Sequence, residues 1–173
     1  MKQSVKSIIA VITLVFISGC ATTNFRYNEG KEGVLLLGAI THLGNGEVIE
    51  NSAIGIKDGY ITLLADATIE KPNLSKFDVE KLGPNIHIYP FKKTELGNSG
   101  IVLVRNDDKH INIIIRDKEM ERAIQIGSEA MLLICKGSID DFDKFKVDFV
   151  YMGQEKVDVL NQSDYILSKG GKE

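Results

Sequence analysis

Short apolar runs separated by turn-forming clusters fill the chain from Gly33 onward, and this pattern constrains the fold more than any other feature. Residues 34–43, 86–91, 101–105, 110–116, 130–136, 145–151 and 156–160 are such runs, rich in Ile, Val and Leu. Asp58-Gly59 lies between the runs at 54–57 and 60–64 and predicts a hairpin, because a type I′ turn needs positive φ at both central residues. The pattern therefore predicts many short strands joined by tight turns, and the nearly all-apolar run at 130–136 predicts a central strand.

The predicted strands number eight or nine, against one short helix at residues 76–82. Ser75 is the predicted N-cap of that helix, Asp78 stands in the capping-box position, and Gly83-Pro84 is the stop signal. Parallel βαβ units would need regular crossover helices, so we expect an all-β fold, either an antiparallel sandwich or a small barrel.

The first twenty residues form a separate signal. Lys2 and Lys6 precede an apolar run at residues 8–17, and Ile17-Ser18-Gly19-Cys20 follows. The run is about half of the roughly 20 residues that a spanning helix needs. The arrangement resembles the signal peptide and lipobox of bacterial lipoproteins. An ordinary secretory signal, with Cys20 as an unmodified thiol, is the alternative.

The lipoprotein resemblance implies that a signal helix is cleaved between Gly19 and Cys20. Cys20 would then carry a diacylglyceryl group on sulfur and an acyl chain such as palmitate on its amine. In that family Asp after the modified cysteine commonly retains the protein in the inner membrane. Because this chain has Ala21, we expect an outer-membrane anchor with the mature domain facing the periplasm.

The expected layout has four parts: a signal peptide at 1–19, the acylated cysteine and a flexible tether at 20–32, one β domain at 33–160, and a polar tail at 161–173. The segment at 126–137, with Gly127 near its start, is similar to the glycine-led strand of OB-fold barrels found in some small bacterial lipoproteins. That resemblance covers about a dozen residues and favours the barrel option.

Charge and cysteine content exclude several classes of function. Removing Lys2 and Lys6 with the signal leaves 19 basic groups against 24 acidic ones, a formal charge of −5. This argues against a nucleic-acid partner and against electrostatic attraction to anionic lipids. Acylation of Cys20 would leave Cys135 without a disulfide partner, and its apolar neighbours predict a buried, inert thiol.

No residue pattern predicts catalysis, a metal or a cofactor. His42, His87 and His110 fall on three different predicted strands, and the sequence does not require them to converge. The acidic clusters at 106–108 and 140–143 lack the glycine and distal Glu of an EF-hand loop, so we interpret them as solvated turns.

Two functions remain open at this point. The first is a non-enzymatic envelope lipoprotein that acts as a structural adaptor or assembly component through an envelope protein partner. The alternative is a periplasmic carrier or sensor that binds a small apolar or lipid ligand inside the β domain.

Overall fold

The computed structural model describes residues 23–24, 30–92, 101–105, 111–115, 122–141, 144–158 and 165–169. These residues form twelve strands: β1 Thr23–Asn24, β2 Gly33–His42, β3 Val48–Lys57, β4 Tyr60–Asp66, β5 Phe77–Lys81, β6 Ile86–Pro90, β7 Ile101–Arg105, β8 Ile111–Ile115, β9 Met131–Lys136, β10 Lys146–Met152, β11 Glu155–Asp158 and β12 Tyr165–Lys169. The all-β prediction is confirmed.

The strands make two sheets. The larger follows the order β1-β11-β10-β9-β6-β2-β3-β4, with β5 paired to β2 beside this path, and the smaller follows β12-β8-β7. The pairing is mixed rather than wholly antiparallel, because β2 runs parallel to both β5 and β6, and β12 runs parallel to β8.

The large sheet is not a closed barrel. However, β4, the strand at one end of the sheet order, contacts the residues that precede β9 in the middle of the sheet. Tyr60 in β4 forms an isolated bridge with Glu129, just before β9. The Ile61 N–H donates to the Ser128 carbonyl at 2.8 Å, and the Gly127 N–H donates to the Ile61 carbonyl at 2.7 Å. The start of β4 is therefore fixed to the backbone that leads into β9.

The Asp58-Gly59 hairpin is present as predicted, with φ of 51° and 84° at its two residues. A Cβ built on Gly59 would lie 2.9 Å from the backbone nitrogen of Gln154, in the β10–β11 turn. The Gln154 side chain also donates to the Asp58 carbonyl at 3.1 Å. Two hairpin turns distant in sequence are thus packed together, and a side chain at Gly59 would separate them.

The predicted helix at 76–82 is wrong. The chain forms one short 3-10 turn, Leu74–Lys76, capped by Asn73 rather than Ser75, and then continues as β5. The Asn73 side chain accepts from the Ser75 N–H at 3.1 Å. Pairing of β5 along the first half of β2 satisfies the backbone in an extended form, so tertiary context overrides the local helix signal.

The core lies on both faces of β9. Leu132 and Ile134 pack with one cluster that includes Leu36 and Ile54. Met131, Leu133 and Cys135 pack with a second cluster on the opposite face. Alternating side chains of a strand point to opposite faces, and an almost wholly apolar run such as 130–136 is what a strand buried on both sides requires. The predicted central strand and the predicted burial of Cys135 are confirmed.

Segments expected to lie outside the domain contribute to the sheets. Thr23 and Asn24 pair with Lys156 and Glu155 of β11. The Lys31 ammonium donates to the Ser75 carbonyl at 2.9 Å, so the end of the predicted tether is held as well. In the predicted tail, Tyr165–Lys169 forms β12. Residues 123–126, whose apolar content also suggests a short strand, do not form one. Within the described ranges, no helix is long and apolar enough to cross a membrane.

Candidate functional site

Three aromatic rings stack where β2 ends beside β6. The rings of His42 and Tyr89 are 4.2 Å apart at an angle of 12°, and those of His42 and His87 are 5.4 Å apart at 19°. Nε2 of His42 lies 3.0 Å from Nδ1 of His87, which is a hydrogen bond between two imidazoles. We call these three residues the histidine cluster.

Local sheet geometry brings the cluster together. Residues 40 and 41 of β2 pair in parallel with His87 and Ile88 of β6, so His42 falls beside Tyr89. Register shifts interrupt β2 on both sides of Ala39 where it pairs with β3. On the β3 side, the hydroxyls of Thr41 and Ser52 form a buried hydrogen bond of 2.6 Å, which holds the end of β2 in place.

The loop after β9 closes over the tyrosine. The Ile139 N–H donates to Tyr89 Oη at 3.2 Å, and Ser138 Oγ is 3.3 Å from the same oxygen. The Asp140 N–H donates to Ser138 Oγ at 3.2 Å. Tyr89 is only 2% exposed, so the ring that stacks on His42 is held in place by the core.

Burial keeps both histidines uncharged at neutral pH. It lowers the pKa of His42 from 6.5 to about 4, helped by the nearby His87 and opposed by the charge of Asp140. Burial also lowers the pKa of His87, while the charge of Glu50 opposes it. A neutral imidazole has one donor and one acceptor nitrogen, so the pair can share one proton between the facing nitrogens.

The sequence did not anticipate this meeting of His42 and His87, since it placed them on separate strands with no reason to converge. Parallel pairing of β2 with β6 supplies the reason, and it leaves no local signal. His110 lies outside the described residues. Within the part of the chain that the structure describes, no group of three His, Cys, Asp or Glu residues could hold a metal ion.

The other candidate residues lie in simpler settings. Cys135 Sγ lies 3.5 Å from the His87 carbonyl, and burial raises the pKa of this thiol well above its usual value. Asp141 forms an exposed ion pair of 2.7 Å with Lys144, as expected for a solvated turn. Asp107, Asp108 and Asp143 lie outside the described residues.

Acid should destabilise the protein through His42. Since the folded pKa of about 4 lies below the unfolded 6.5, the unfolded chain binds more protons between these values. The contribution of neutral His42 to the free energy of unfolding is therefore complete above pH 6.5 and falls as the pH drops toward 4. We expect the urea-unfolding midpoint to decline over this window, and His42→Gln to flatten the decline. Tyr89→Phe is the control, because it removes no group that titrates there; an unchanged slope in His42→Gln would contradict the assignment.

The lipobox residues Gly19 and Cys20 also lie outside the described residues, so their predicted cleavage and acylation stay predictions. No protein-family model, curated protein or solved structure matches this chain.

Proposed function

We propose that this protein is a lipoprotein of the bacterial envelope, anchored by acylated Cys20, whose β domain binds another protein and does not catalyse a reaction. The signal sequence and the lipobox at 17–20 support the anchor. Ala21 supports an outer-membrane location with the domain facing the periplasm.

The observation that carries the binding role is a pair of exposed apolar side chains on adjoining backbone segments. Tyr60 is 54% exposed at the start of β4. Ile126 is 63% exposed and directly precedes Gly127 and Ser128, whose backbone groups form hydrogen bonds with Ile61 of β4. Exposed large apolar groups stand out on a protein surface when they occur together. Tyrosine is among the residues enriched at protein interfaces and at their energetic centres. We call the surface around Tyr60 and Ile126 the apolar rim.

The apolar rim rests on a tightly bonded frame. The Ala130 N–H donates to the Gly59 carbonyl at 2.8 Å, and the Gly153 N–H donates to the Ala130 carbonyl at 3.0 Å. Arg122 donates to the Glu129 carbonyl at 3.1 Å. These hydrogen bonds join three backbone segments. A backbone that is already ordered loses little conformational entropy on binding, which favours affinity.

Site-specific photo-cross-linking in native membranes tests this proposal. A benzophenone amino acid is placed at Tyr60, at Ile126, and at Ile69 as the control, which is 84% exposed on a different loop. We expect adducts of one common mass from the positions of Tyr60 and Ile126 and none of that mass from the Ile69 position. Equal labelling at all three positions would contradict a binding surface at the apolar rim.

The partner found in this way allows an affinity test. Replacing both Tyr60 and Ile126 with serine should weaken binding about tenfold or more, because truncating a central interface residue costs about 2 kcal/mol. Ile69→Ser should leave the affinity unchanged. Unchanged affinity in the double variant would place the interface elsewhere.

A further inference from the structure

Strand β1 fixes the distance between the proposed lipid anchor and the folded domain. Thr23 pairs with Lys156, and Asn24 pairs with Glu155, at the end of the large sheet. Cys20 precedes Thr23 by three residues, so even a fully extended chain separates their Cα atoms by at most about 11 Å. A free tether from 20 to 32 would instead let the domain move roughly 20 Å from the anchor.

We propose that the sheet edge formed by β1 and β11 is the membrane-proximal face of the domain and lies at the lipid headgroups. This inference rests on the acylated Cys20 of the proposed function. Acyl chains place Cys20 at the border of the hydrocarbon core, and the headgroup layer outside it is about 6 Å thick. The reach from Cys20 then brings Thr23, and Lys156 beside it, into or just above that layer.

Contacts of Lys156 make this edge a rigid part of the domain. Its ammonium lies 2.9 and 3.1 Å from the two carboxylate oxygens of Glu80 in β5. It also lies 4.0 Å above the ring of Phe149, and its side chain is only 17% exposed. β11 is therefore tied to β5 as well as to β10, and a constraint on the β1–β11 edge orients the whole sheet.

The charges of the edge place it at the headgroups and not deeper. The Asp158 carboxylate is 3.8 Å from the Lys156 ammonium and 57% exposed. Ionised side chains are costly in the hydrocarbon core, so the edge stops at the polar layer. The net negative charge of the mature chain gives no electrostatic pull toward anionic lipid, so the covalent anchor and β1 set the position.

Tryptophan quenching tests the proposed face, because the chain contains no tryptophan. Asp158→Trp reports the β1–β11 edge, and Val48→Trp is the control at an exposed strand position. Val48 of β3 pairs with His42 of β2. Leu36 of β2 pairs with Glu80, which binds Lys156 of β11. His42 lies six residues along β2 from Leu36. Six strand residues span about 20 Å, so the control reports a distant surface.

Both acylated mature variants, extracted from membranes, are reconstituted in vesicles containing lipids brominated next to the headgroup. We expect quenching of the Asp158→Trp emission to be several-fold greater than that of Val48→Trp. Inserting six Gly-Ser residues between Ala21 and Thr22 should reduce this difference, because the insertion lengthens the reach and leaves β1 unchanged.

Intact mass separates the two ways in which the proposal can fail. Acylated protein with equal quenching in both variants would overturn the membrane-proximal face and leave the anchor standing. Absence of acyl mass would overturn the anchor and this inference together.

Discussion

Replacing Cys20 with alanine is expected to abolish acylation and release the protein from the membrane. Each buried methylene of an acyl chain contributes about 0.8 kcal/mol, so one chain binds reversibly while two or three hold a protein firmly. The formal charge of −5 gives the mature chain no attraction to anionic lipid, and the β1–β11 edge is proposed to lie at the headgroups only because Cys20 holds it there. Intact mass of membrane-extracted protein measures this directly, as a loss of residues 1–19 with a gain of acyl chains that Cys20→Ala lacks.

Cys135→Ala is the matched control for this experiment. The Cys135 thiol is buried, so its removal should leave the acyl mass and the membrane fraction unchanged. A wild-type protein cleaved before Cys20 but carrying no acyl chain would contradict the lipoprotein assignment. It would then be a secreted domain, and every proposal on localisation would fail with it.

Local sequence signals predicted much of the strand content. Asp58-Gly59 marked its hairpin because few residues adopt positive φ at both turn positions. The β-branched run at 110–116 predicts a strand from its composition, and Ile111–Ile115 forms β8. The apolar run at 130–136 predicts a central strand, and Met131–Lys136 forms β9, which lies between β6 and β10. In each case the signal lies within a few residues of the structure that it specifies.

Pairing between distant segments was the part that the sequence could not predict. β5 carried a helix signal, with Ser75 and Asp78 spaced as a capping box, yet its backbone bonds go to β2. β1 and β12 lie in polar segments whose composition indicates a tether and a tail. Parallel partners are set by tertiary packing and not by a turn, so no local pattern marks them.

The sequence could not predict the histidine cluster for the same reason. His42 and His87 are 45 residues apart, and each alone is an ordinary strand histidine. Only the parallel pairing of β2 with β6 makes them hydrogen-bonded neighbours. The apolar rim depends in the same way on the contact between β4 and the backbone before β9.

Truncating Ile134 to alanine is expected to cause a large loss of stability. Ile134 is fully buried in β9, where its backbone pairs with Ile88 on one side and Phe149 on the other. Removing a buried branched side chain from a packed core costs about 2–5 kcal/mol, through lost transfer energy and the cavity that remains. This is a large share of the 5–15 kcal/mol that typically stabilises a domain.

Ile69→Ala is the matched control, because it makes the same chemical change at a side chain that is 84% exposed. A surface substitution of this kind should change the free energy of unfolding by less than about 0.5 kcal/mol. Urea unfolding of the mature Cys20→Ala protein compares the two without detergent. Equal effects of Ile134→Ala and Ile69→Ala would mean that β9 is not the centre of the core. A large difference would show that the domain depends on the packing of β9, whose two faces are both buried, since a cavity there disturbs β6 and β10 together.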